Sequence, residues 1–306
     1  MATPCPLQKA VRVANPHLLP DFMTTLSQLI SQAVGRLQPH YPADEARAMV
    51  KCALMTLKDW TPTDIAYKFN DEVGDFLINR VDEITDRLLL DEPLQYILGE
   101  AWFHGLSLKV TPATLIPRPE TSQLVDLIVD RADGRPDLRV LDIGTGSGAI
   151  AVALARSLKF ARVTAIDIST DALEVARQNA DRLRVDINFK QMDILADSLP
   201  ADAFDIIVSN PPYICDSEKP SMEPNVLLYE PHGALFVPDN DPLLFYRRIA
   251  SLAADSLVAG GMLYFEINQS YGSQVCRMLA DNRNFQSIEL LRDFKGNNRF
   301  ISASKL

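Results

Sequence analysis

The chain is poor in the residues that build disulfide frameworks and metal sites. Its 306 residues include four cysteines and four histidines, scattered without the close spacing that binds zinc. We therefore expect no disulfide framework and no metal, and a reducing cytoplasmic compartment. The sequence also lacks an apolar run of about 18 residues and a basic-then-apolar signal at its N-terminus, which argues against a membrane span and against secretion.

The chain also has fewer basic residues than acidic ones. Lys and Arg together number 30 against 40 Asp and Glu, which gives a net charge of -10. Because sequence-independent affinity for nucleic acid comes from Lys and Arg that neutralise phosphates, and no basic cluster stands out, we expect no stable nucleic-acid binding. What the chain does have is a globular composition, 47% hydrophobic, in a length sufficient for two domains.

The hydrophobic pattern changes near residue 95. Before that point apolar residues recur at helical spacing, whereas after it short β-rich runs alternate with helical ones. We predict an N-terminal helical domain over residues 1–94, a hairpin connector over residues 95–121 and an α/β domain over residues 122–306. The predicted helices of the first domain cover residues 22–36, 43–57, 61–69 and 72–89, and residues 1–19 show no clear pattern.

The alternation in the third part predicts a doubly wound, mostly parallel seven-stranded sheet of α/β class, with helices on both faces. The predicted strands cover residues 139–143, 162–168, 187–192, 204–209, 262–267, 287–291 and 300–303. In the connector, apolar residues on either side of His104-Gly105 indicate a β-hairpin.

A glycine loop, residues 144–148, separates a predicted strand from a predicted helix. Its glycines let a ligand approach the backbone closely. Gly144, Gly146 and Ala149 satisfy the looser fingerprint of nicotinamide dehydrogenases. Two features favour S-adenosylmethionine instead: the acidic Asp142 before the glycines, and a third glycine, Gly148, one place earlier than in that fingerprint. The predicted cofactor-binding residues of this segment are Asp142, Gly144, Thr145, Gly146, Ser147 and Gly148.

Two further strand ends extend the predicted cofactor site. Asp167, 19 residues beyond Gly148, is suited to accept hydrogen bonds from ribose hydroxyls. Asp193 could meet the adenine amino group while Ile194 packs on the ring, although an ordinary strand-end aspartate is an alternative interpretation. Ligands of open α/β sheets bind beyond the carboxyl ends of the strands, so these residues should converge on the glycine loop.

The Asn-Pro-Pro-Tyr segment, residues 210–213, suits methylation of a planar nitrogen, whose delocalised lone pair is a poor nucleophile. The Asn210 side-chain oxygen can accept one N–H, and the Pro211 carbonyl, on a stiffened backbone, can accept the other. We predict Asn210, Pro211 and Tyr213 as catalytic, with Pro212 and Phe103 also binding substrate and Asn210 also bordering the cofactor. The alternatives are a Pro-Pro turn and, for Phe103, core packing.

Nearly the whole chain resembles the HemK/PrmC-type glutamine methyltransferases. The resemblance rests on residues 92–100 and 114–121, joined to the glycine loop and the Asn-Pro-Pro-Tyr segment; Glu230-Pro231 and residues 292–293 and 297–299 are also similar. It implies methyl transfer from S-adenosylmethionine to the N5 amide of the GGQ glutamine in class I peptide chain release factors, in support of translation termination. It further implies a cytoplasmic monomer whose helical domain docks the release factor.

Other functions remain open at this stage. Relatives that methylate ribosomal protein L3 usually carry Arg-Ser where this chain has Arg118-Pro119, which favours the release-factor branch. A nucleic-acid amino-methyltransferase would need a basic groove or a target-recognition insert, and a non-catalytic donor-binding module would not need Asn210. The helical domain could also be a purely stabilising cap. Arg118 and Glu120 are expected to hold the connector rather than act on substrate.

Overall fold

A computed structural model describes residues 24–201 and 203–306. These residues form two compact units that divide between Asp86 and Arg87, whereas the sequence suggested a boundary at residue 94. No helix in the described stretches is both long enough and apolar enough to cross a membrane.

The described part of the first unit is helical, as predicted. Its helices are α1 (Leu26–Leu37), α2 (Ala43–Lys58), α3 (Pro62–Tyr67) and α4 (Asp75–Leu88). Helix α1 starts at a capping box, in which Thr25 Oγ1 accepts from the Gln28 N–H and Gln28 Oε1 accepts from the Thr25 N–H. The predicted start of this helix, residues 22 and 23, lies outside the described residues.

The connector lies near the start of the second unit, which begins at Arg87. Helix α5 (Leu94–Leu98) precedes the antiparallel pair β1 (Glu100–Phe103) and β2 (Leu106–Lys109). The turn residues His104 and Gly105 both have positive φ, 49° and 72°, which the tight two-residue hairpin turn requires. The predicted hairpin is confirmed, but the predicted connector starts in a helix, because Tyr96 and its apolar neighbours bury one helical face.

The remaining strands follow the predicted order closely. In chain order they are β3 (Arg139–Ile143), β4 (Arg162–Asp167), β5 (Ile187–Gln191), β6 (Phe204–Ser209), β7 (Ile214–Cys215), β8 (Phe236–Val237), β9 (Leu257–Glu266), β10 (Phe285–Arg292) and β11 (Asn298–Lys305). The small β7–β8 pair was not predicted, since two-residue strands carry no readable period.

The main sheet has seven strands in the order β10-β11-β9-β6-β3-β4-β5. All neighbours are parallel except β11, which runs antiparallel to both β9 and β10. The predicted doubly wound, mostly parallel seven-stranded sheet is therefore confirmed. Its carboxyl edge gathers the ends of β3, β4, β5 and β6, which are followed by the segments predicted to bind cofactor and substrate.

Helices cover both faces of this sheet. They are α6 (Pro119–Ala132), α7 (Ala149–Ser157), α8 (Thr170–Leu183), α10 (Leu244–Ser256) and α11 (Gly272–Asp281). A further short helix, α9 (Pro224–Tyr229), contains no buried residue. Val140 belongs to an apolar cluster with α6 and α7, whereas its neighbour Leu141 belongs to a cluster with α10 and α11. Because successive strand residues point to opposite faces, the two clusters are the two layers of core.

Candidate active site at the carboxyl edge of the sheet

The glycine loop follows β3 and turns the chain into α7. Gly144 and Gly146 have φ values of 73° and 55°, and a side chain built at either would meet no atom within 4 Å. The loop backbone therefore borders open space that a ligand can approach. Gly148 is required for a different reason, since a Cβ there would lie 3.1 Å from Ala176 Cβ, where α7 packs on α8.

Asp142 supports this loop from inside. It is fully buried, and its Oδ2 accepts from Thr145 Oγ1 at 2.7 Å and from the Ala151 N–H at 3.2 Å. Burial raises the pKa of Asp142 to about 7. Asp142 has no exposed surface, and through these hydrogen bonds it shapes the loop. Its place among the cofactor-binding residues stays a prediction. Thr145 and Ser147 are buried as well.

Asn179, which the sequence did not single out, ties the loop to the connector. Its Nδ2 donates to the Lys109 and Ser147 carbonyl oxygens, both at 2.9 Å, and its Oδ1 accepts from the Lys109 N–H at 2.6 Å. The residue is fully buried in α8. A polar side chain on an apolar helical face was the only signal available in the sequence.

The end of β4 faces the same space. Asp167 Oδ2 accepts from the Gly146 N–H at 2.8 Å, and its Oδ1 accepts from the Ser169 N–H at 2.9 Å. A carboxylate has about four acceptor positions, so Asp167 can still accept from hydroxyls of a ligand. Ile168, which directly follows, is 63% exposed and offers an apolar surface that the sequence analysis overlooked.

The end of β5 differs from its prediction. Asp193 is half-buried and accepts through Oδ1 from the Leu195 N–H at 2.9 Å. Ile194, predicted to pack on adenine, is only 9% exposed and lies in the core cluster with α10 and α11. Most of the Ile194 side chain is therefore already in contact with the core, and its packing on adenine stays a prediction. The exposed large apolar residues that follow β4 and β5 are Ile168 and Leu195.

The Asn-Pro-Pro-Tyr segment leaves the end of β6. Asn210 Nδ2 donates to Thr121 Oγ1 over 3.4 Å, and no residue within the described ranges donates to its Oδ1. Tyr213 donates its hydroxyl proton to Glu266 Oε1 at 3.3 Å. Burial, together with the negative Glu266, raises the pKa of Tyr213, so this residue is a neutral phenol with a fixed ring.

A cavity of about 330 Å³ opens beside this segment. Its walls are mostly apolar, with Arg118 and Glu223 as the charged exceptions. The lining residues are Leu115, Arg118, Asn210, Tyr213, Ile214, Met222, Glu223, Val226, Ala234 and Leu235. Phe103, predicted to enclose the substrate, is not among them, since it is 3% exposed and packs in the core with Leu124 and Leu108.

Arg118 and Glu120 make the connector contacts expected of them. Arg118 pairs with the buried Glu230, which also accepts from the Ile116 N–H at 3.2 Å. Glu120 accepts from Lys295 Nζ at 2.7 Å. Two ion pairs therefore hold the end of the connector, and the one at the cavity, made by Arg118, has a partner that is almost fully buried.

A buried carboxylate lies behind the Asn-Pro-Pro-Tyr segment. Glu266, at the end of β9, is 1% exposed and accepts from Thr121 Oγ1 at 2.7 Å. Burial raises the pKa of Glu266, against the effects of the Thr121 hydrogen bond and the nearby Arg299. Arg299 in turn donates through Nε to Asp293 at 3.3 Å. The family-like segments near the C-terminus thus place a cation beside Glu266.

Comparisons with known proteins agree with this geometry. A methyltransferase domain model matches residues 135–283, and a PrmC N-terminal domain model matches residues 28–99. A release factor glutamine methyltransferase from Bacteroides thetaiotaomicron is 45% identical over 272 residues, 88% of this chain and 96% of that protein. This chain belongs to the release factor glutamine methyltransferase family.

Two further family members support the assignment. The enzyme from Flavobacterium psychrophilum is 49% identical over 216 residues, 70% of this chain and 75% of that protein. The enzyme from Streptococcus pneumoniae is 42% identical over 247 residues, 80% of this chain and 87% of that protein. Family membership makes the chain a methyltransferase, and its methyltransferase domain implies S-adenosylmethionine as the methyl donor.

The residues at the sheet edge fit this donor, which combines ribose hydroxyls with a flat adenine ring. The open backbone of the glycine loop allows close approach, Asp167 has acceptor positions to spare, and Ile168 offers exposed apolar surface. Sequence reasoning did not single out Ile168, Asn179, Thr121 and Glu266, which the structure places at or near the carboxyl edge of the sheet. Asn179, Thr121 and Glu266 make their contacts with residues that lie far away in the sequence.

Proposed function

We propose that this family member methylates the N5 side-chain amide of the GGQ glutamine in class I peptide chain release factors, and so supports translation termination. The proposal rests on the names of its relatives and on one observation above all. Asn210, beside the cavity and the glycine loop, has a side-chain oxygen that receives no hydrogen bond from the described residues. That oxygen is available to accept a substrate N–H.

The donor would be held at the carboxyl ends of β3, β4 and β5. We assign the backbone of Gly144 and Gly146 to its approach, Asp167 to its ribose hydroxyls and Asp193 to its adenine edge, with Ile168 in contact with the ring. When bound, S-adenosylmethionine would supply an electrophilic methyl group and leave as S-adenosylhomocysteine, and the excess proton on the alkylated nitrogen, which is then acidic, would pass to solvent. Asp142 acts indirectly, because its hydrogen bonds fix the shape of the glycine loop.

The Asn-Pro-Pro-Tyr segment would prepare the amide. Asn210 Oδ1 and the Pro211 carbonyl each accept one N–H of the substrate, which orients the nitrogen and stabilises the positive charge that develops on it. Tyr213, fixed by its hydrogen bond to Glu266, offers its ring to the flat amide, and Pro212 stiffens the segment. Such prealignment can offset roughly 7 to 11 kcal/mol of a bimolecular barrier.

The cavity suits a glutamine side chain. Leu115, Val226 and Leu235 supply apolar wall against which the two methylene groups of glutamine can pack. Arg118, held by the buried Glu230, and Glu223 lie among the lining residues and can accompany polar backbone groups of a bound peptide. Phe103 has no part in this pocket because it belongs to the core.

We further propose that the helical N-terminal domain docks the release factor and that the enzyme works in the cytoplasm, where translation factors are found. The monomeric state expected from the sequence stays a prediction, which light scattering of the purified protein would test.

Transfer of a labelled methyl group to purified release factor tests the proposal. Wild-type release factor is compared with a variant in which the GGQ glutamine is alanine, and ribosomal protein L3 and duplex DNA serve as rival acceptors. We expect label on wild-type release factor alone. Label on L3 or DNA but not on release factor would overturn the proposed target.

A further inference from the structure

Thr121 connects two groups that the chain holds far apart in sequence. It lies in the first turn of α6, and its hydroxyl contacts both Glu266 Oε2, at 2.7 Å, and Asn210 Nδ2, at 3.4 Å. The sheet produces this arrangement, because Ser209 of β6 is paired with Phe265 of β9. The next residues along each strand, Asn210 and Glu266, therefore leave the same edge side by side.

Chemistry fixes the direction of each hydrogen bond that joins Asn210, Thr121 and Glu266. A hydroxyl has one proton, and a carboxylate can only accept. Thr121 therefore donates to Glu266, and its oxygen can only accept from Asn210. The Asn210 amide must then direct its NH2 group towards Thr121, so that its Oδ1 faces away from Thr121.

The surroundings of Glu266 suit an acceptor. Thr121 and Tyr213 both donate hydroxyl protons to it. Burial raises the pKa of Glu266, and these two hydrogen bonds and the positive charge of Arg299 oppose that effect by favouring the ionised form. Arg299 is itself held by Asp293, and Glu120, the other carboxylate nearby, is occupied by Lys295. Each direct hydrogen bond to the Glu266 carboxylate is thus of the kind an ionised carboxylate accepts.

We propose that Glu266, acting through Thr121, fixes which end of the Asn210 amide faces the substrate and thereby makes the site select an amide over a carboxylate. This deepens the proposed function and rests on it. Glutamine has N–H groups for Asn210 Oδ1 to accept, whereas glutamate has none. A turned Asn210 would instead present NH2 protons, which a carboxylate could accept.

The first test separates this positioning role from general damage. Thr121→Val removes the hydroxyl at nearly constant shape, and Thr121→Ser restores it. Thr85→Val is the matched control, because Thr85 is also buried and its hydroxyl donates only to a carbonyl of its own helix. We expect Thr121→Val to lower kcat roughly ten- to a hundredfold, with KM for release factor and Kd for the methyl donor almost unchanged. Thr121→Ser should recover most of the loss, and Thr85→Val should show none.

The second test addresses selectivity. Glu266→Gln keeps the shape but can donate as well as accept, so it no longer enforces one direction on Thr121. We expect a similar fall in kcat. The Thr121→Val/Glu266→Gln double variant should show no further fall, because both changes interrupt the same series of hydrogen bonds from Glu266 through Thr121 to Asn210. Release factor with glutamate at the GGQ position should inhibit Glu266→Gln more strongly than it inhibits wild type, a change that loss of packing alone would not produce.

The outcomes are distinguishable from those for the proposed function itself. Wild-type kcat in a folded Thr121→Val variant, beside an inactive Asn210→Ala variant, would overturn the inference and leave the function standing. Failure of Thr121→Ser to recover activity, or unchanged inhibition by the glutamate form, would also overturn it. Wild-type kcat in Asn210→Ala would instead remove the function on which the inference rests.

Discussion

Asn179 joins the connector to the glycine loop through three hydrogen bonds, and its loss should be measurable in two ways. Asn179→Ala removes three hydrogen bonds, with the Lys109 N–H, the Lys109 carbonyl and the Ser147 carbonyl. Lys109 is exposed, so water can replace part of what it loses. The Ser147 carbonyl belongs to a buried residue and cannot be rehydrated as easily.

The expected cost follows from these three groups. A buried polar group left without its partner costs about 1–3 kcal/mol, and discounting the two Lys109 groups gives roughly 2–4 kcal/mol for the second unit. In a domain of this size that corresponds to a fall in Tm of roughly 5–15 °C. The donor should also bind more weakly, because the loop that meets it loses a support.

Two further variants make the reasoning refutable. Asn179→Asp keeps the acceptor for the Lys109 N–H but sets a second acceptor oxygen against the two carbonyls, so it should destabilise at least as much as alanine. Asn188→Ala, at an exposed position on β5, should change stability by no more than about 0.5 kcal/mol. Thermal unfolding and calorimetric donor binding provide the readouts. Wild-type Tm in Asn179→Asp would refute the assigned donor directions.

Three other predictions concern the site directly. Asn210→Ala should lower kcat roughly a hundredfold or more with donor Kd nearly intact, and calorimetry beside turnover checks this. Asp167→Ala should instead weaken donor binding by roughly ten- to a hundredfold, and an unchanged Kd would contradict its ribose role. Burial raises the folded-state pKa of Asp142 from 3.8 to about 7, so its contribution to stability is full below pH 4 and is lost as the pH rises towards 7. Relative to wild type, the free energy of unfolding of Asp142→Asn should therefore increase by up to about 1.4 kcal/mol per pH unit over that window. Urea unfolding at several pH values measures this, and a difference between the two proteins that does not change with pH would contradict the prediction.

Local pattern was sufficient for much of the fold. The bounds of β3 and β6 match their predictions to the residue, because both strands are short apolar runs rich in β-branched residues, bounded by turn-forming residues. The surroundings of a side chain that follows a strand were predicted less well than the bounds of the strand itself. Ile194 was assigned to the adenine ring from its position after Asp193, yet its side chain enters the core, which no one-dimensional pattern could reveal.

Phe103 shows the same limit. An aromatic residue at a hairpin turn is equally suited to a pocket and to a core, and the choice depends on what lies beneath the hairpin. Here the hairpin is tied to α8 through Asn179, and Phe103 packs in the core cluster that contains α6 residues. The pocket is lined instead by the connector, by the Asn-Pro-Pro-Tyr segment and by the chain that follows it. None of the lining residues in that following chain was singled out from the sequence.

The sequence by itself determined the chemistry available to this protein: a glycine loop for a methyl donor, acidic strand ends, and an Asn-Pro-Pro-Tyr segment for a planar amide. These are local, because backbone conformation and side-chain type are set within a few residues. Only the tertiary structure decided that Glu266 and Thr121 stand behind Asn210. That depends on β9 lying beside β6 in the register that pairs Ser209 with Phe265, and strand order is settled by how the whole sheet and its two core layers pack, not by any local stretch of the chain.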